Sequence, residues 1–180
     1  LGKLDEAVAS YRKALAINSE FAEAHYNLGN AFLEQRKLDD AVTSYHKALA
    51  IKPDYAKAHS NLGNALQELG RLDDAFASFR KALAIKPDFA EARYNLGNAF
   101  LEQRKLDDAV ASYHKALAIK PDFAETHSNL GLALQELGKL DDAVTSYHKA
   151  LAINSDYADA HNNLGNALKK LGRLDGAVAS

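Results

Sequence analysis

The sequence predicts an all-α solenoid of stacked helical repeats, and three observations predict it. The 34 residues from Ala22 to Tyr55 return in register at Ala56, Ala90, Ala124 and Ala158, and a fixed period of that length marks an array in which each copy buries its apolar face only by stacking on neighbours. Within a copy, Leu38, Ala41, Val42, Tyr45, Ala48 and Leu49 follow the i, i+3, i+4, i+7 spacing of an amphipathic helix. Hydrophobic residues make up 47% of the chain and aromatics only 8%, with Ala abundant, which suits closely packed helices better than sheets.

The elements follow in order. Leu4, Ala7, Val8, Tyr11, Ala14 and Leu15 carry the same spacing, so residues 1–21 read as the second half of a repeat. Full repeats then occupy 22–55, 56–89, 90–123 and 124–157, and 158–180 is an incomplete one, all in one continuous solenoid. In the first full repeat Ala24, Leu28, Ala31 and Phe32 form the stripe of a first helix ending near Gln35, with Glu20 and Glu23 expected at its cap. Asp39 and Asp40 favour the start of a second helix, as anions at the positive end of its dipole. Pro53 stops that helix, and Asp54, Asp88, Asp122 and Asp156 are expected to cap the first helices that follow. Asn18-Ser19 and Asn154-Ser155 replace the Lys-Pro pair at two junctions and are expected to loosen the stop without abolishing it.

The copies alternate in type: repeats 22–55 and 90–123 differ only at His25/Arg93, Thr43/Ala111 and Tyr55/Phe123. After the first helix, Gly2, Gly70, Gly138 and Gly172 suit a left-handed helix end, whereas the other type has Arg36 and Arg104 there. An Arg held left-handed would cost roughly 1 kcal/mol, so either that strain or a different turn is expected. Gly29, Gly63, Gly97, Gly131 and Gly165 on first helices are expected to face Ala41, Ala75, Ala109, Ala143 and Ala177 where the helices approach most closely.

Composition narrows the function. A net charge of -2 offers no cationic field for nucleic acid or anionic lipid, and no apolar run is long enough to span a bilayer. The absence of Cys fits a reducing, cytoplasmic compartment. No nucleophile with a base, phosphate loop or metal motif is present, so neither catalysis nor a cofactor is expected. The seven His fall in two repeat positions, with same-position copies about 10 Å apart, too far to share a metal ion.

Leu28, Gly29, Phe32, Ala41, Tyr45, Ala48 and Pro53 resemble the spaced signature of the tetratricopeptide repeat, and the match covers the whole chain. His25, His59, Arg93, His127 and His161 depart from it where an aromatic is usual. Within that family, runs such as Asp122 to Leu130 look most like the repeat arm of O-linked N-acetylglucosamine transferases and similar bacterial arrays, without any transferase domain. The resemblance implies antiparallel helix pairs in a right-handed superhelix, with first helices lining a concave groove that binds peptides.

A polar stripe on the first helices then becomes the candidate site. With Ala22 as position one, position six is Asn27, Asn61, Asn95, Asn129 and Asn163, and position nine is Asn30, Asn64, Asn98 and Asn166, with Leu132 the exception. A primary amide accepts and donates, so it can bond a peptide's N–H and C=O without reading side chains. With first helices about 10 Å apart and a peptide advancing about 3.3 Å per residue, one Asn meets roughly every third residue. The same amides could instead bond within the scaffold. Tyr26, Tyr94, Leu33 and Leu101 are candidate side-chain pockets or, alternatively, contacts to the neighbouring helix. Glu23, Glu91, Glu125, Asp159, Glu34, Glu68, Glu102 and Glu136, interrupted by Lys57 and Lys170, lean the face negative, which favours basic or neutral peptides unless these charges are simply solvated. The leading expectation is a non-catalytic scaffold binding an unidentified protein or peptide. The alternatives are the substrate-recruiting arm of a larger enzyme such as a protein O-glycosyltransferase, and a self-assembling scaffold joined head to tail through uncapped ends.

Overall fold

The computed structural model describes residues 2–172, and these form ten α-helices. They gather into two compact units, Leu1–Asp88 and Phe89–Ser180. The first unit contains α1 (Gly2–Ile17), α2 (Ala22–Glu34), α3 (Leu38–Ile51), α4 (Ala56–Glu68) and α5 (Leu72–Ile85). The second contains α6 (Ala90–Glu102), α7 (Leu106–Ile119), α8 (Ala124–Glu136), α9 (Leu140–Ile153) and α10 (Ala158–Lys170). The expected helix end at Ser180, and with it Ala177, lies outside the described residues.

Each helix pair closes through its second helix. In α3, α5, α7 and α9 the triplets Ala41/Tyr45/Ala48, Ala75/Phe79/Ala82, Ala109/Tyr113/Ala116 and Ala143/Tyr147/Ala150 are all fully buried. The small residues let the backbones approach, and the aromatic between them fills the interface with one large ring. That ring lies over the glycine of the first helix: a Cβ built on Gly29 would stand 2.6 Å from Tyr45, and one on Gly63 2.5 Å from Phe79. The close partner of each of these glycines is therefore the aromatic ring, rather than the alanine expected from the sequence. Within the first unit α1 packs on α2 and α3 on α4, and within the second α7 packs on α8 and α9 on α10, so in these cases a second helix also covers the first helix that follows it.

The turns inside each pair have one geometry in both repeat types. Arg36 and Arg104 hold φ of 60° and 57°, beside 74° at Gly70 and 77° at Gly138. The backbone needs this shape because the N–H of Lys37 reaches back to the carbonyl of Phe32 at 2.9 Å, as Arg71 does to Leu66, closing the helix end. Of the two sequence-level options the chain takes the strained one, and each Arg side chain reaches toward an acid of the next repeat. Arg36 bonds Glu68 of the next repeat, and Arg104 approaches Glu136 at 3.4 Å. Gly2 differs, lying at the start of α1.

The first helices are not capped by acidic side chains. Their N-caps are Phe21, Tyr55, Phe89, Phe123 and Tyr157, none with a side-chain cap bond, which corrects the assignment to Glu20, Asp54, Asp88, Asp122 and Asp156. Each acid sits one residue too early to reach the free amides of the first turn. Four histidines secure this entry instead. Nε2 of His25, His59, His127 and His161 lies 2.9–3.0 Å from the carbonyls of Ser19, Pro53, Pro121 and Ser155. The proline-free junctions keep the stop. α1 and α9 end at Ile17 and Ile153, the position of Ile51 in α3, and Asn18 and Asn154 accept the backbone N–H two residues on, at 3.1 and 3.2 Å.

A carbonyl can only accept, so Nε2 carries the hydrogen, and the Nδ1 atoms of these four rings are buried without a partner. Burial holds His59 and His127 below the ordinary imidazole range despite their carbonyl bonds, with Lys81 and His46 facing the first and Lys149 and His114 the second. The unfolded chain therefore takes up protons first on acidification. Stability from these two residues is full above an unfolded value of about 6.5 and is lost as pH falls from there through the lowered folded values. Melting temperatures should drop between about pH 7.5 and 5.5. The drop should shrink in His59→Gln/His127→Gln, whose amides can still donate to the two proline carbonyls. An equal drop in that variant would contradict the assignment.

Candidate peptide-binding face

The stripe of amides lies on α2, α4, α6, α8 and α10, and eight of its nine members are half-buried, with Asn166 exposed. Two of the amides meet in each unit. In the first, the Tyr45 hydroxyl donates to Asn30 Oδ1 at 2.8 Å, and Asn61 Nδ2 donates to the same oxygen at 2.8 Å and to the Tyr26 hydroxyl at 3.2 Å. The second unit repeats this with Tyr113, Asn98, Asn129 and Tyr94 at 2.8, 2.9 and 3.2 Å. Burial pushes the Tyr45 and Tyr113 hydroxyls well above the ordinary phenol range, and the neighbouring Tyr26 and Tyr94 add to it, so both remain protonated donors at neutral pH.

These bonds fix which way each amide faces. The position-nine oxygen accepts twice and is filled, while the position-six nitrogen spends its donors on the scaffold. Among the described residues nothing takes Asn30 Nδ2 or Asn61 Oδ1, nor Asn98 Nδ2 or Asn129 Oδ1. Each unit thus offers a fixed donor beside a fixed acceptor. Bonding within the scaffold and bonding to a ligand, alternatives at the sequence level, coexist on different atoms of one amide. Within either unit, Asn27, Asn64, Asn95, Asn163 and Asn166 belong to no such pair among the described residues.

The pocket candidates divide. Tyr26 packs its ring on Tyr45 and Tyr55, centroids 6.1 and 4.9 Å apart, and Tyr94 on Tyr113 and Phe123 at 6.2 and 5.0 Å. These tyrosines build the wall, as the neighbouring-helix alternative had it. Leu33 is half-buried, and Leu101 packs on the core of the second unit. The acidic lean is also reduced, because Glu68 and Glu136 pair with Arg36 and Arg104 and Glu23 lies 3.7 Å from Lys52.

Sequence reasoning missed Tyr45 and Tyr113, which orient the amides. The signal was available: wherever Tyr stands fifteen residues after a position-nine Asn, the two bond. It also missed a cavity of about 700 Å³ between α3 and α5, floored by His59, Leu62 and Leu66 of α4. No side-chain group that could hold a metal ion occurs among the described residues.

The fourth repeat breaks the tyrosine–amide pairing. Leu132 stands at position nine, and the hydroxyl of the fully buried Tyr147 has no partner. Tyr113→Phe should therefore destabilise the chain by about 1 kcal/mol through a lost hydrogen bond, whereas Tyr147→Phe should be neutral or stabilising by up to about 1 kcal/mol. Urea titration of the two variants checks the difference in sign.

A family profile described as TPR repeat matches residues 1–36, 29–70, 63–104, 97–138 and 135–172. No curated protein sequence matches the chain. Among solved structures it is similar to PilW, a widely conserved type IV pilus biogenesis factor, at 28% identity and TM-score 0.90, covering 98% of this chain and 82% of that one. It is also similar to MamA at 27% identity and TM-score 0.76, covering 84% and 89%. YrrB, described as a TPR protein with an unusual peptide-binding site, shares the fold at 24% identity and TM-score 0.74, covering 94% and 87%. No described helix is long and apolar enough to cross a membrane.

Proposed function

Because the chain belongs to the tetratricopeptide-repeat family, whose members serve as protein-interaction scaffolds, we propose that it is a non-catalytic scaffold holding an extended peptide along the amide-bearing face of its first helices. The observation that carries this reading is the fixed polarity of the amide pairs. Asn30 and Asn98 have donors to spare and Asn61 and Asn129 have acceptors, the two groups a peptide unit needs for its C=O and N–H. Tyrosine hydroxyls hold those amides in place, so little side-chain freedom is lost when a peptide binds. Each bond contributes only about 0.5–1.5 kcal/mol, which makes affinity modest and additive. With both Arg–Glu pairs closed, charge discriminates weakly among peptides. A cytoplasmic site of action belongs to the same reading, on the absence of Cys.

The test converts Asn61, Asn98 and Asn129 to Ala and measures binding to a peptide library. Affinity should fall by about tenfold or more for binders of unrelated sequence, with helicity unchanged by circular dichroism. Unchanged affinities in a folded variant would remove the amides from the binding element.

A further inference from the structure

The fourth repeat carries Leu132 where the other first helices carry an asparagine, and the departure opposes stability. Tyr147 occupies the position of Tyr45 and Tyr113 and is as fully buried as they are. Those two hydroxyls donate to Asn30 and Asn98 at 2.8 Å, whereas Tyr147, opposite Leu132, donates to nothing. Asparagine at position 132 would complete the bond, as it does in two other repeats. Leu132 leaves a buried hydroxyl unsatisfied, and such local violations concentrate at functional positions. Leu132 is itself half-buried, so part of its side chain remains open on the face where other repeats present an amide.

We infer that Leu132 is a side-chain-reading position, which takes one aliphatic or aromatic side chain of the bound peptide and so sets its register on the face. This rests on the peptide-binding reading above. Amides alone repeat along the face and accept a peptide in several registers, because each backbone unit resembles the next. One apolar contact among polar ones breaks that degeneracy. The bound segment is then an extended chain whose backbone bonds Asn98 and Asn129 and whose single apolar residue falls at Leu132.

The test uses the full chain and a positional-scanning library of end-capped peptides about a dozen residues long on a Ser/Gly background. The parent protein should prefer Leu, Ile, Val or Phe over Ser at one position by about fivefold to tenfold. Leu132→Asn and Leu132→Ala should both reduce that preference to less than about twofold. Leu132→Asn should melt no lower than the parent, because Tyr147 gains its acceptor. A preference that survives both substitutions, or no preference in the parent, overturns the inference. The two readings separate cleanly. If Asn61→Ala/Asn98→Ala/Asn129→Ala weakens every peptide while the preference ignores residue 132, this inference alone fails. If the preference follows residue 132 while the amide variant binds normally, the amide reading fails.

Discussion

Gly63→Val is expected to destabilise the chain by about 3 kcal/mol or more, and Gly63→Ala by about 1–2 kcal/mol. Alanine in a helix normally gains up to about 1 kcal/mol over glycine. Here that gain is overwhelmed, because a Cβ at residue 63 would stand 2.5 Å from Cε1 and 2.7 Å from Cδ1 of Phe79. Phe79 is fully buried between Ala75 and Ala82 and has no room to turn away. Relief then requires α4 and α5 to separate, which opens the closest interface in the repeat. Valine adds a branched side chain to the same clash. The urea midpoint measures the loss, and a Gly63→Val midpoint equal to the parent's would mean that the ring is not held where the structure has it.

Tyr113→Ala should cost about 3–5 kcal/mol, the usual range for deleting a buried aromatic. Phe79→Ala should cost about as much, so stability does not distinguish the two. Binding does. Tyr113 donates to Asn98 at 2.8 Å, and without it Asn98 is free to turn its amide and Asn129 loses a fixed acceptor. Phe79 bonds no amide. Peptide affinity measured well below the melting temperature should therefore fall several-fold in Tyr113→Ala and stay close to the parent in Phe79→Ala. Equal effects of the two substitutions on affinity would separate the core ring from the site.

Much of the fold was legible because repetition multiplies every local signal. Pro53, Pro87 and Pro121 stand just beyond Ile51, Ile85 and Ile119, where the second helices end. Of the stripes read from apolar spacing, Ala24, Leu28, Ala31 and Phe32 in α2 are buried, whereas in α1 Val8 is buried and Leu4, Ala7, Tyr11, Ala14 and Leu15 are half-buried. The caps misled because Asp54 and its equivalents are good capping residues one position too early, and a propensity argument cannot resolve one residue. The glycines were paired with alanine on size, yet the tighter fit is the flat face of a ring against a bare backbone. Arg36 and Arg104 required the next repeat to explain them, since Glu68 and Glu136 come near only after stacking.

The candidate site was legible as a list of amides and illegible as a geometry. Position and residue type identified Asn30, Asn61, Asn98 and Asn129. Their polarity depends on hydroxyls fifteen or thirty-five residues away, from Tyr45 to Asn30 and from Tyr26 to Asn61. Leu132 looked like a lapse in the pattern. Only the unpartnered hydroxyl of Tyr147 made it informative.

A backbone N-methylation scan of one tight-binding library peptide, titrated by calorimetry, tests most directly whether fixed amides grip the peptide backbone. Each methyl group removes one N–H while leaving its side chain in place. Affinity should fall by about twofold to tenfold at the few positions whose N–H meets Asn61 or Asn129, and little in between. Alanine replacement of the peptide's side chains should matter strongly at one position alone. A flat methylation profile beneath a steep side-chain profile would contradict the account, since the peptide would then be held by its side chains and not by the asparagines.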